Sequence, residues 1–77
     1  SALIAQVEVD NHGDFILIPI VGNQKIHFGD PYNRRIVEER FKKLLVFYRE
    51  ALPFTGWSKY ESINLKYKNQ VVCKKRD

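Results

Sequence analysis

Between Tyr60 and Lys75, apolar and polar positions alternate in a pattern that predicts two short strands. Ile63, Leu65 and Tyr67 are interleaved with Ser62, Asn64, Lys66 and Lys68, the period of two that leaves a strand with one dry face. Gln70 to Lys74 reads as a second strand. Lys68-Asn69 reads as the turn between them, because Asn tolerates the left-handed backbone of tight turns. Two registers are open. A three-residue loop pairs Tyr67 with Val71 and Leu65 with Cys73, whereas a two-residue loop sets Leu65 against Val72 and Ile63 against Lys74. The first keeps the apolar set on one face and is the one expected, since a slip of one residue would turn that set outward.

Upstream, Ile4 to Val9 alternates Ala5, Val7 and Val9 with Gln6 and Glu8, a half-buried strand, and Asp10 to Asp14 supplies turn residues. Phe15 to Val21 is apolar on both faces. Pro19 within it cannot donate to a ladder, which predicts an edge or a bulge there. Gly22-Asn23 is a second turn, and Gln24 to Phe28 a third strand with Ile26 and Phe28 inward. Gly29-Asp30-Pro31 then breaks the sheet, and Asp30 or Asn33 caps a helix beginning near Arg34.

Along that helix Val37, Phe41, Leu44, Leu45, Phe47, Tyr48, Ala51 and Leu52 form an apolar arc centred near Leu44, with Val46 among the charges. Glu38 and Glu39 stand four residues before Lys42 and Lys43, the spacing of exposed ion pairs. Pro53 ends the helix, and Phe54 to Ser58 returns the chain to the last hairpin. The expected fold is α+β: a mixed, mostly antiparallel sheet of about five strands with one long α-helix on one face, in the order β-β-β-α-β-β. One helix covers one face. The doubly apolar second strand therefore predicts that the other face meets another part of a larger protein or a second copy, a homodimer.

The order of helix, Gly56-Trp57, Lys59-Tyr60, Ile63-Asn64-Leu65-Lys66-Tyr67, short turn and Val71-Val72-Cys73-Lys74-Lys75 resembles the C-terminal end of the bacterial cell-division protein family FtsQ (DivIB). In that family an Ile/Val-Asp-Leu-Arg-Tyr strand and a Val-rich strand close an extracytoplasmic β-domain. Asn64 and Lys66 here replace the usual Asp and Arg. Phe15 to Asn23, followed by Ile26-His27-Phe28-Gly29, resembles the family's strand, turn, strand and entry into the last helix.

The resemblance implies that residues 1–77 are a single domain or the C-terminal part of a larger extracytoplasmic β-domain. It further implies a membrane anchor in a missing N-terminal part, on the inner membrane, with this portion periplasmic and enriched at the septum. The implied role is a non-catalytic scaffold that binds FtsB (DivIC)-like and FtsL-like partners, with a partner strand added at the C-terminal edge. The residues this assigns to partner binding are Tyr67, Lys68, Asn69, Gln70, Val71, Val72, Cys73 and Lys74, together with Trp57 and Tyr60. After Gln70 to Lys74 only Lys75-Arg76-Asp77 remain, so the last strand is expected to have an open outer edge, and a proline at Val72 to remove one of its ladder donors.

Composition narrows the alternatives. At 77 residues with 44% hydrophobic and 13% aromatic content, the chain is too apolar for disorder, and its longest apolar run is too short to cross a bilayer. The lone Cys73 excludes an internal disulfide and reads as a small strand hydrophobe. A net charge of +4 raises a second function, a basic nucleic-acid-binding module; the cations are spread over the helix and the last hairpin, with acids interleaved on the helix, which favours solvated surface.

His12 and His27 have no Ser or Cys nucleophile at a recognisable spacing, so no active site is expected, nor any cofactor or small-molecule substrate. Asp10, Asp14 and Asp30 fit turn and cap duties better than a metal set, and Gly22 and Gly29 are lone turn glycines. Phe54, Trp57, Tyr60 and Tyr67 read first as an aromatic plug closing one end of the core and second as a partner surface.

Overall fold

The structure, a computed structural model, describes residues 4–20, 24–51 and 59–77. Strands β1 (Ile4–Val9), β2 (Phe15–Pro19) and β3 (Lys25–Gly29) precede helix α1 (Arg34–Glu50), and β4 (Tyr60–Asn64) and β5 (Val72–Lys75) follow it. The spatial order of the sheet is the sequence order, β1-β2-β3-β4-β5. Only β3 and β4 run parallel, because they are the pair joined by a helical crossover rather than a turn. The α+β fold read from the pattern is the fold observed.

Local chemistry sets each junction. Asp10 Oδ1 accepts from the N–H groups of His12 (2.8 Å) and Asp14 (3.0 Å), and Gly13 supplies the positive φ of +81° that closes the first hairpin. Those two bonds, the one from Asp14 first, hold the Asp10 carboxyl below the usual carboxylate range. Pro19 lies where the β1–β2 register shifts between Ile4 and Gln6, the bulge its missing donor predicts. Asn33 caps α1, its side chain accepting from the Ile36 N–H at 3.2 Å, while Asp30 turns the preceding loop through the Tyr32 N–H at 2.8 Å.

Leu17, Ile26, Phe28, Ile63 and Leu65 from the sheet side and Leu44 and Tyr48 from α1 form the buried core among the described residues. Each such side chain contributes roughly 1.5–3 kcal/mol on burial. The helix arc is narrower than the pattern predicts, since Phe41 and Leu45 stay more than a third exposed. Phe41 nonetheless packs against Phe28, ring centroids 4.8 Å apart. On the far face the row Glu8, Ile16, His27, Asn64, Val72 runs across all five strands. The expected second dry face is therefore a stripe on β2, where Ile16 and Ile18 are half-buried, between polar neighbours.

Two expectations are corrected. Glu38 and Glu39 pair backward with Arg34 (3.4 Å) and Arg35 (4.0 Å) instead of forward with Lys42 and Lys43. The last hairpin adopts neither expected register: Ile63 faces Cys73 and Asn64 faces Val72, so β4 ends before Leu65 and the connection spans residues 65–71. Lys43 donates instead to carbonyl oxygens of this connection, which takes it away from Glu39.

Candidate functional site

The connection between β4 and β5 and one side of α1 enclose a groove of about 1120 Å³. Its apolar lining includes Ile36, Val46, Phe47, Tyr67 and Val71. Among the described residues it is also lined by six Lys or Arg side chains and two carboxylates, Glu39 and Glu50. The basic residues that look scattered in sequence are brought together because α1 presents Arg35, Arg40, Lys42 and Lys43 to the side where the hairpin presents Lys66 and Lys68.

Two of these cations hold the groove together. Arg40 donates to the carbonyls of Phe28 (2.9 Å) and Lys66 (3.4 Å), and Lys43 to those of Leu65 (2.7 Å), Tyr67 and Gln70 (3.1 Å). Burial, and then the neighbouring Arg40 charge, lower the pKa of the Lys43 ammonium; the three carbonyl acceptors offset that desolvation. The turn is further set by Asn64, whose Oδ1 accepts from the Lys66 N–H at 2.9 Å, and by Asn69 in the left-handed region at φ +58°. Lys66 reaches Asp14 at 3.6 Å, tying the first hairpin to the last. Asn64 and Lys66, the two departures from the family pattern, thus both have local structural work.

Beside the groove lies β5, at the end of the sheet, with no strand on its far side among the described residues. The direction of its amides follows from its neighbours. Leu65 donates to the His27 carbonyl on the β3 side (3.0 Å), so by strand alternation Asn64 faces β5 and its partner Val72 faces β4. The Arg76 N–H, bonded to the Lys59 carbonyl at 2.9 Å, keeps the same phase. Cys73 and Lys75 therefore turn their N–H groups outward. The donor that a proline at Val72 would remove is one that pairs with β4, contrary to the expectation from sequence.

The sequence-predicted site residues divide accordingly. Tyr67, Lys68, Asn69, Gln70 and Val71 line the groove, with Tyr67 about half exposed. Val72, Cys73 and Lys74 form the edge strand; Lys74 bonds Glu61 at 3.0 Å, an exposed pair of small energetic weight. Cys73 packs against the core, and burial raises its thiol pKa. Tyr60 packs on Phe47, ring centroids 6.0 Å apart, at the opposite end of β4 from Tyr67, so these two do not share one plug. Phe54 and Trp57 lie outside the described residues. Sequence reading missed Arg40 and Lys43 as organisers of the site, since their helical spacing fits ordinary surface charge equally well.

Among the described residues, no helix is long and apolar enough to cross a membrane. A mixed five-stranded sheet with a single crossover helix, an open last strand and a basic groove alongside is, among the described residues, a small α+β module. The family model described as FtsQ/DivIB, C-terminal related matches residues 1–74, and the chain belongs to that family. No curated protein matches the chain.

Proposed function

We propose that this chain is a non-catalytic scaffold module of the bacterial divisome that receives FtsB (DivIC)-like and FtsL-like partners by strand addition at β5. The observation that carries this reading is the outward pair of amides at Cys73 and Lys75, next to a groove rich in cations. Backbone hydrogen bonds to an extended segment supply affinity, and the groove supplies side-chain specificity for an acidic segment. As the C-terminal part of a larger extracytoplasmic β-domain, anchored upstream in the inner membrane, it serves septal cell-wall synthesis from the periplasmic side.

The test is titration of the cognate FtsB-like periplasmic segment against three variants. Lys75→Pro removes an outward donor and places its ring where a partner strand would lie; a loss of about tenfold or more is expected. Val7→Pro does the same on β1, the other edge, because the Asp10 N–H bonds Asp14 and alternation turns Val7 outward. It is expected to leave affinity unchanged. Lys68→Glu reverses a groove charge without breaking the Lys74–Glu61 pair. Full affinity in a folded Lys75→Pro variant rules out strand addition, and loss confined to Lys68→Glu assigns binding to electrostatic docking.

The groove's cations also favour a second reading, a nucleic-acid-binding module. A gel-shift titration with single- and double-stranded DNA and RNA decides it, since phosphate binding weakens steeply with salt.

A further inference from the structure

An ammonium group has three donors, and Lys43 Nζ reaches three carbonyls of one connection, those of Leu65, Tyr67 and Gln70. Side-chain patterning does not require that connection. The observed register sets Ile63 against Cys73, and a slide of two residues, setting Leu65 against Cys73 and Tyr67 against Val71, leaves every side chain on its present face because the strand period is two. The tighter register would even add Lys66 to the cross-strand backbone pairing, opposite Val72. What distinguishes the two is where the turn carbonyls point. In the observed form they converge on the helix, and the Lys66 carbonyl turns the same way toward Arg40 at 3.4 Å.

We infer that Lys43 is a positioning residue: its ammonium, by gathering the carbonyls of Leu65, Tyr67 and Gln70, selects the wide 65–71 turn and so sets where along the groove the outward amides of β5 lie. For partner binding this rests on the strand-addition reading above; for the hairpin it stands alone. Helix α1 thus sets the register of a strand it does not pair with. The contact is specific to Lys43. Lys42, one residue earlier, also lines the groove but bonds none of these carbonyls.

The experiment compares Lys43→Met, which keeps the length of the stem and removes all three donors, with Lys42→Met, which removes the same charge. The first readout is partner-free: cross-strand NMR contacts of Ile63 with Cys73, and amide exchange over residues 66–70. In folded Lys43→Met the Ile63–Cys73 contacts are expected to weaken or give way to Leu65–Cys73, and exchange in the turn to rise about tenfold or more, the scale of a lost charge-assisted bond. Lys42→Met should change neither.

The second readout is binding of the acidic extended segment used above, expected to fall by about tenfold or more in Lys43→Met and by clearly less in Lys42→Met, which removes a groove charge without touching the turn. Wild-type contacts and exchange in Lys43→Met, or equal changes in Lys42→Met, overturn the inference. A segment that fails to bind the unaltered chain defeats the strand-addition reading, while the NMR comparison still decides the role of Lys43. If Lys43→Met does not fold, Lys43→Gln, with two donors left, takes its place in both readouts.

Discussion

A β-carbon on Gly29 would lie 2.5 Å from Nη1 of Arg40, closer than non-bonded atoms can sit. Gly29 ends β3 at φ +96°, and its missing side chain is the space through which the guanidinium reaches the Phe28 carbonyl. Gly13 has a similar φ of +81° with nothing within 4 Å. Gly29→Ala is therefore expected to cost about 2–4 kcal/mol, backbone strain plus displacement of Arg40, and Gly13→Ala only about 1–2 kcal/mol of strain. Denaturant midpoints measure both, and equal losses would mean that Arg40 moves aside freely.

Leu44 is 2% exposed at the centre of the core and Val46 is 44% exposed on the groove side. Leu44→Ala should cost about 2–5 kcal/mol through lost contacts and a residual cavity, a large part of the stability of so small a domain. Val46→Ala should stay within about 0.5 kcal/mol. Urea melts of the two variants check the phase of the helix.

The acid limb of the stability curve should carry a contribution from Asp10. Its folded pKa is lowered by the N–H groups of Asp14 and His12. A depressed carboxylate stabilises the fold fully above its unfolded pKa, about 3.9, and loses that contribution as pH falls through the folded value. Asp10→Asn keeps an acceptor but does not titrate, so its stability should fall less steeply below about pH 4 than that of the unaltered chain. Melts across that window test the slope.

Cys73 should react slowly. Burial raises its thiol pKa and the side chain packs against the core, so the thiolate fraction and its access both fall. At pH 8 alkylation of the folded chain is expected to be slower by about tenfold or more than in denaturant. A rate equal to that of the unfolded chain would place the thiol on the open side of β5.

The positions that alternate or recur every three or four residues carried much of this protein in the sequence itself. Three antiparallel strands, a helix from Arg34, a parallel β3–β4 pair and the bulge at Pro19 all follow from local rules, because period, caps and missing donors act within a few residues of their cause. The face of the last hairpin was legible too, since Ile63, Leu65 and Cys73 do turn toward the core.

Its register was not. Alternation repeats every two residues, so it cannot tell one register from another two residues away. Only the helix, brought in from about twenty residues upstream, supplies the three donors on Lys43 that settle the matter. The same holds for charge. Six cations that the sequence spreads over two segments line one groove only because the crossover packs α1 beside the 65–71 turn. Pattern determined which residues face inward, while tertiary contact decided where the backbone carbonyls of the last turn point and hence where along the groove the open amides of β5 lie.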